Sequence, residues 1–251
     1  MRYLIATGWL TVLFWQCNPA PGSQSDVAQE IVDRAIAEMG GSLLDTAVIS
    51  FDFRDRSYRY ERTGGLFAYH RIFIDTTSQD TLLDILTNEY LKRWINGEEA
   101  DITAERRQAF SNSVNSVIYF ALLPYGLNDP AVIKSYEGEV EIKDKRYHQV
   151  RVSFQEEGGG VDYEDNFLYW FDPADASMDY LAYDYITDGG GVRFREAFNP
   201  RIVGGVTFQD YYNYKPADPT VKLDDMLAAF QDDQLTLLSN IELKNIQVIN
   251  E

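Results

Sequence analysis

The sequence holds a single cysteine, Cys17, and two histidines, His70 and His148. One cysteine excludes a disulfide framework within the chain. Two imidazoles are too few for a zinc or copper site, which takes several nitrogen or sulfur ligands. No metal site and no cofactor are expected, with calcium on oxygen ligands as the one exception this composition allows. Positive charge is also scarce: 22 Lys and Arg stand against 40 Asp and Glu, for a net charge of −18. Nucleic-acid phosphates would repel such a chain, so nucleic-acid partners are excluded. The acidity reads first as a solubility device and second as cation binding. Familiar nucleophile and phosphate signatures are missing as well. No serine stands in Gly-x-Ser-x-Gly, and neither triple-glycine segment carries the lysine of a phosphate loop.

Long apolar runs are absent too. The longest spans residues 3–15 and falls short of the roughly 20 residues a bilayer crossing needs. It follows Met1-Arg2, and one positive charge before about a dozen apolar residues is the form of a secretory signal peptide. Residues 18–25, rich in Pro, Gly and Ser, form a flexible tether. Cys17 sits at the junction and resembles the lipidated cysteine of bacterial lipoproteins. Small residues usually precede that cysteine, whereas Phe14, Trp15 and Gln16 stand here. Lipidation of Cys17 is the preferred outcome, with cleavage and release as the alternative.

Beyond the tether, aromatics make up 14% of the chain, which favours pleated, half-buried surfaces. Val27, Ile31, Ala35 and Met39 recur at helical spacing, and Gly40-Gly41 stops that helix. The period then changes to two. Strands are expected over 48–53, 57–62, 66–74, 82–86 and 90–95. A second helix follows over 102–122, with Ala104, Phe110, Val114, Val117, Ile118 and Ala121 on its apolar face. Further strands are expected over 140–142, 147–154, 167–171, 178–186, 192–198 and 206–214, then a short helix over 223–230 and a last strand over 241–249. Short connections predict an antiparallel meander. The fold class is mainly β (α+β): one domain over 26–251, a large curved antiparallel sheet or half-barrel with two or three helices covering its concave side.

Several segments carry a resemblance: residues 49–56, 113–117, Leu123-Pro124-Tyr125-Gly126-Leu127-Asn128-Asp129, the two triple glycines 158–160 and 189–191, Tyr180-Leu181-Ala182-Tyr183-Asp184, and residues 192–197. In these the chain is similar to a family of Bacteroidota envelope lipoproteins defined as a domain of unknown function. The element order resembles the half-barrel of LolA/LolB-like lipoprotein carriers. These likenesses imply an outer-membrane lipoprotein, facing the periplasm or the outside, and a fold. They imply no reaction.

Candidate sites are few. The Gly-Gly-Gly-Val repeats read as hairpin loops. On the strands 192–198 and 206–214, Glu196 and Asp210 interrupt apolar faces, and a simple hairpin register sets them a diagonal step apart. They could act as an acid–base couple, a calcium shell or anchors for a polar group, although pairing with nearby arginines is the more economical reading. His148 and His70 sit on apolar strand faces, where a hydrogen-bonded histidine is commoner than a proton shuttle. The cluster Asp162, Glu164, Asp165, Asp172, Asp175, Asp179 lacks EF-hand order and reads as a solvated face.

The favoured function is a monomeric, non-enzymatic, lipid-anchored envelope protein that binds an apolar or amphipathic small molecule. Tyr183, Tyr212 and the loop 124–127 would line its pocket. Arg195, Glu196, Asp210 and His148 are the polar candidates beside them. Two alternatives stay open: a hydrolase or lyase using the carboxylate pair and a histidine, and an adaptor that binds another envelope protein.

Overall fold

The first helix, α1 (Gln24–Glu38), opens on a reciprocal cap. The Asp26 amide donates to Ser23 Oγ at 3.2 Å, and the Ser23 amide donates to Asp26 Oδ2 at 3.1 Å. Gln24 and Ser25, expected in the tether, therefore belong to the first turn. A computed structural model describes residues 23–157, 163–186 and 189–249. The signal peptide, Cys17, tether residues 18–22 and the glycines 158–160 lie outside the described residues.

Gly40 ends α1 in the left-handed region, at φ 88°. A Cβ there would stand 2.2 Å from the carbonyl oxygen of Gly205, and the neighbouring Met39 carbonyl accepts the Thr207 amide at 2.9 Å. The helix end is thus seated directly on a hairpin turn. Gly40→Ala is expected to destabilise the chain by about 1–3 kcal/mol, read as a lower urea midpoint at unchanged slope. A midpoint equal to wild type would mean that this seat yields freely.

Strands β1 (Val48–Phe53), β2 (Arg56–Thr63), β3 (Leu66–Ile74), β4 (Thr81–Thr87), β5 (Leu91–Ile95) and β6 (Glu98–Glu99) form one antiparallel meander. Helix α2 (Ala104–Ala121) follows. The second meander runs β7 (Val132–Ile142), β8 (Lys145–Phe154), β9 (Phe167–Phe171), β10 (Met178–Tyr185), β11 (Gly191–Val203) and β12 (Val206–Pro216). Helix α3 (Met226–Gln231) then leads into β13 (Leu235–Ile241) and β14 (Leu243–Ile249). Strand β13 pairs with β12 and β14 pairs with β1, so the last stretch of chain leaves one sheet and enters the other at Glu242.

That crossing is pinned by Asp210. Its carboxylate accepts the Leu243 amide at 2.9 Å, Arg201 Nη2 at 2.9 Å and Asn199 Nδ2 at 2.7 Å. Arg201 Nη2 also donates to the Leu243 carbonyl at 2.8 Å. The expected curved antiparallel sheet with covering helices is present, built from two seven-stranded sheets among the described residues.

Two of the three α-helices among the described residues occupy the concave side. Helix α1 packs Ala28, Val32 and Ala35 against Val150, Tyr169 and Phe171 of the second sheet. Helix α2 spans both sheets: Val114 and Ile118 meet the first, and Tyr119 and Phe120 meet the second. Helix α3 lies on the opposite face, over Trp170, Tyr180 and Phe194.

Beneath α2 the first sheet carries a buried charge row. Tyr58, Arg71, Asp84 and Arg93 are cross-strand partners on four successive strands. Arg71, Asp84 and Arg93 are 2%, 0% and 6% exposed. Asp84 accepts Arg71 Nη2 at 2.6 Å and Arg93 Nε at 2.6 Å. Arg71 Nη1 donates to Ser113 Oγ of α2 at 2.7 Å, and the Arg93 guanidinium lies 3.5 Å from the centre of the Phe110 ring. These contacts tie the helix to the sheet.

Candidate functional site

Strand periodicity sorts the second sheet into two faces. Val152, Phe167, Tyr183 and Arg193 form one cross-strand row on the helix-covered side. The next row holds Val150, Tyr169, Leu181, Arg195, Asn213 and Ser239. Arg193, Arg195, Asn213 and Ser239 thus enter rows otherwise made of apolar and aromatic side chains.

Arg195 is 6% exposed. Rings surround its guanidinium: Phe120 of α2 at 3.8 Å, Tyr183 at 5.2 Å and Tyr211 at 6.0 Å from guanidinium carbon to ring centre. Phe120 and Phe167 flank Tyr183 at 5.3 Å and 5.4 Å. Arg195 Nη2 donates to the Tyr183 hydroxyl at 3.0 Å. Its Nε and Nη1 have no hydrogen-bond partner, and neither has Asn213 Oδ1 on the adjacent strand. Asn213 Nδ2 donates to Ser239 Oγ at 3.3 Å.

The phenols nearby do not supply a counter-charge. Burial raises the Tyr119 and Tyr169 hydroxyls, which bond each other at 2.9 Å, and pushes Tyr211 up to about 12. All three stay protonated at physiological pH. The site therefore presents a permanent cation in an aromatic nest, with two buried donors that have no hydrogen-bond partner.

The other sequence-derived candidates lie elsewhere. Glu196 and Tyr212 are register partners on the opposite face from Arg195. Glu196 accepts Lys143 Nζ at 2.5 Å and the Tyr214 hydroxyl at 3.4 Å, at the wall of a cleft of about 440 Å³ that Phe230 and Asp233 also line. Tyr212 stacks on Phe198 at 4.2 Å between ring centres. Asp210 stands a diagonal step from Glu196 in the register, yet the two take separate partners, and Asp210 serves the strand crossing.

His148 faces α1. Its Nδ1 lies 3.4 Å from the Tyr136 hydroxyl, beside a cleft of about 270 Å³ lined with Ile31, Arg34 and Phe171. His70 lies on the outer face of the first sheet, where burial lowers its pKa and Glu61, 3.8 Å away, opposes that shift. Neighbouring Ile72 and Ile74 on that face are exposed. Glu196, Asp210 and the histidines do not converge, as a carboxylate–histidine mechanism would require. In the loop after α2, Leu127 is core, and the Tyr125 hydroxyl donates to Asp45 at 2.5 Å. No cluster of three or more metal-binding side chains occurs among the described residues. Sequence reasoning missed the Arg71–Asp84–Arg93 row and Asn213.

A family of unknown function (DUF6503) matches residues 11–243. Among solved structures, the chain is similar to a LolA superfamily protein from Nitrosomonas europaea, at TM-score 0.46 and 10% identity, covering 88% of this chain and 92% of that one. A DUF1329 family protein from Desulfovibrio piger gives TM-score 0.47 and 12% identity over the same shares, 88% and 92%. An outer membrane lipoprotein-sorting protein domain from Vibrio parahaemolyticus gives 0.45 and 7%, over 82% and 99%. No curated protein matches the chain.

Proposed function

From the premise that the chain belongs to the DUF6503 family of unknown function, we propose that it is a cell-envelope protein that holds an apolar or amphipathic ligand between the concave sheet and α2. Attachment to the outer membrane through a lipid on Cys17 is part of the same reading, supported by the leader sequence. The observation that carries the proposal is Arg195. Its guanidinium is buried among aromatic rings with two nitrogens unpartnered. Ligand pockets commonly pair an apolar lining with a few placed polar groups. Here Phe120, Phe167 and Tyr183 are the lining and Arg195 marks the polar end.

Helix α2 suits the role of a cover. Its sequence includes Ser111-Asn112-Ser113 and Asn115-Ser116, residues that favour caps and turns over helix interiors. Val114 and Ile118 are its fully buried side chains. Phe120 roofs the guanidinium, so a ligand would displace that ring.

Native mass spectrometry of the full chain, purified without detergent, tests the proposal. The expected spectrum shows a reproducible added mass that leaves on denaturation. A bare protein mass in repeated preparations, with no long-chain amphipath taken up on addition, would overturn it.

A further inference from the structure

The two ends of α2 cover arginines in opposite electrical states. Over the first sheet, Arg71 and Arg93 share Asp84, and each also meets α2 through Ser113 or Phe110. Over the second sheet, Arg195 is as buried as Arg93, at 6%, and forms no ion pair among the described residues. The groups facing it are Phe120 from α2, Tyr169 from β9, Tyr183 from β10, and Tyr211 and Asn213 from β12, and burial keeps the Tyr169 phenol protonated. None carries negative charge, since Tyr211 is held protonated by burial.

A guanidinium cannot shed its proton to escape burial. A buried ion without a counter-charge costs several kcal/mol, and native folds rarely keep one without a use. Aromatic faces and one phenol hydroxyl recover part of that cost. The missing element is an anion.

We infer that Arg195 is the receptor for an oxyanion headgroup, a carboxylate or a phosphate, on the amphipathic ligand that occupies the concave face. The inference rests on the ligand-binding reading above and adds the chemical class of the head. Guanidinium N–H groups match the oxygens of carboxylate and phosphate, with strong charge-assisted hydrogen bonds. Nε and Nη1 have no partner in the folded chain and become available to the head once the ligand displaces Phe120. Asn213 Oδ1, also unpaired, offers an acceptor to a head that bears a hydroxyl or an acidic proton. The rings around the fork suit the carbon chain that follows the head. An alcohol head would leave the positive charge unbalanced, and a quaternary ammonium head would add to it.

The test compares four amphipaths of one chain length: hexadecanoate, hexadecyl phosphate, hexadecanol and hexadecyltrimethylammonium. Each displaces a neutral fluorescent probe from the full chain, below the concentration at which it forms micelles. The wild type is expected to bind one or both anions about 10- to 100-fold more tightly than the alcohol, with the ammonium weakest. The carboxylate and phosphate arms show which oxyanion the site prefers. In Arg195→Gln the preference for anions is expected to vanish while alcohol binding persists. Arg195→Lys, which keeps the charge and loses the fork, is expected to retain part of it. Equal affinity for the alcohol and the anions, or an unchanged preference in Arg195→Gln, would overturn the headgroup assignment and leave the ligand-binding reading standing. Failure of all four to displace the probe would count against that reading itself.

Discussion

Asp84→Ala is expected to destabilise the chain by about 3–5 kcal/mol, the loss typical when one partner of a buried ion pair is removed. For a chain of this size that corresponds to a fall in Tm of roughly 6–20 °C. The reason is arithmetic of charge. Asp84 is 0% exposed and is the shared acceptor of two arginines that are 2% and 6% exposed. Its removal leaves two cations buried side by side with no carboxylate between them. The damage should extend to α2, because Arg71 also holds Ser113 and Arg93 lies against Phe110. Thermal unfolding followed by circular dichroism measures the loss. The triple variant Arg71→Met, Asp84→Leu, Arg93→Met removes the charges together and is expected to recover most of it. A loss in Asp84→Ala of less than about 1 kcal/mol, the scale of an exposed pair, would show that water reaches the row.

This row was open to sequence reading. Arg71 stands between Tyr69 and Phe73, Asp84 between Leu82 and Leu86, and Arg93 between Leu91 and Ile95. A single charge at the centre of an alternating apolar set, repeated with changing sign on three successive strands, is the signature of a buried ion row. The alternation itself placed the strands of both meanders. Where it faded, so did the elements. Strand β7 begins at Val132, not at Val140, because Ile133 is exposed and the bulge at Gly138 breaks the period. Strand β13 was missed because Leu237 and Leu238 are both about half exposed, so no inward-and-outward contrast marks it. The crossing at Glu242 leaves no local trace, since it depends on Asp210 accepting an amide 33 residues away. Glu196 and Asp210 did emerge as anomalies and as diagonal neighbours. Register alone could not reveal that Lys143 and Arg201 claim them separately. Arg195 stands among the pocket candidates read from the sequence, although it shares its face with Arg193 and Ala197 and nothing on its own strand foretells its burial. Its burial comes from α2, an element remote in the chain.

Arg195→Met is expected to raise the stability of the ligand-free chain by about 1–4 kcal/mol and its Tm by several degrees, while removing the preference for anionic heads. Few substitutions in a buried row stabilise, so the sign is the informative part. On one side stand the contacts Met would forgo: stacking on Phe120 and Tyr183, about 0.5–2 kcal/mol, and one hydrogen bond to a neutral phenol, about 0.5–1.5 kcal/mol. On the other stands the burial of a charge with Nε and Nη1 unsatisfied, which costs several kcal/mol. The second side is larger, and methionine fills a similar volume with a flexible apolar chain. An arginine kept for structure alone would behave in the opposite way. If Arg195→Met melts more than about 1 kcal/mol below wild type, the rings hold the guanidinium as part of the core, and the headgroup assignment loses its physical basis. If it melts above wild type and no longer separates hexadecanoate from hexadecanol, the chain carries a destabilising charge whose counter-ion arrives with the ligand.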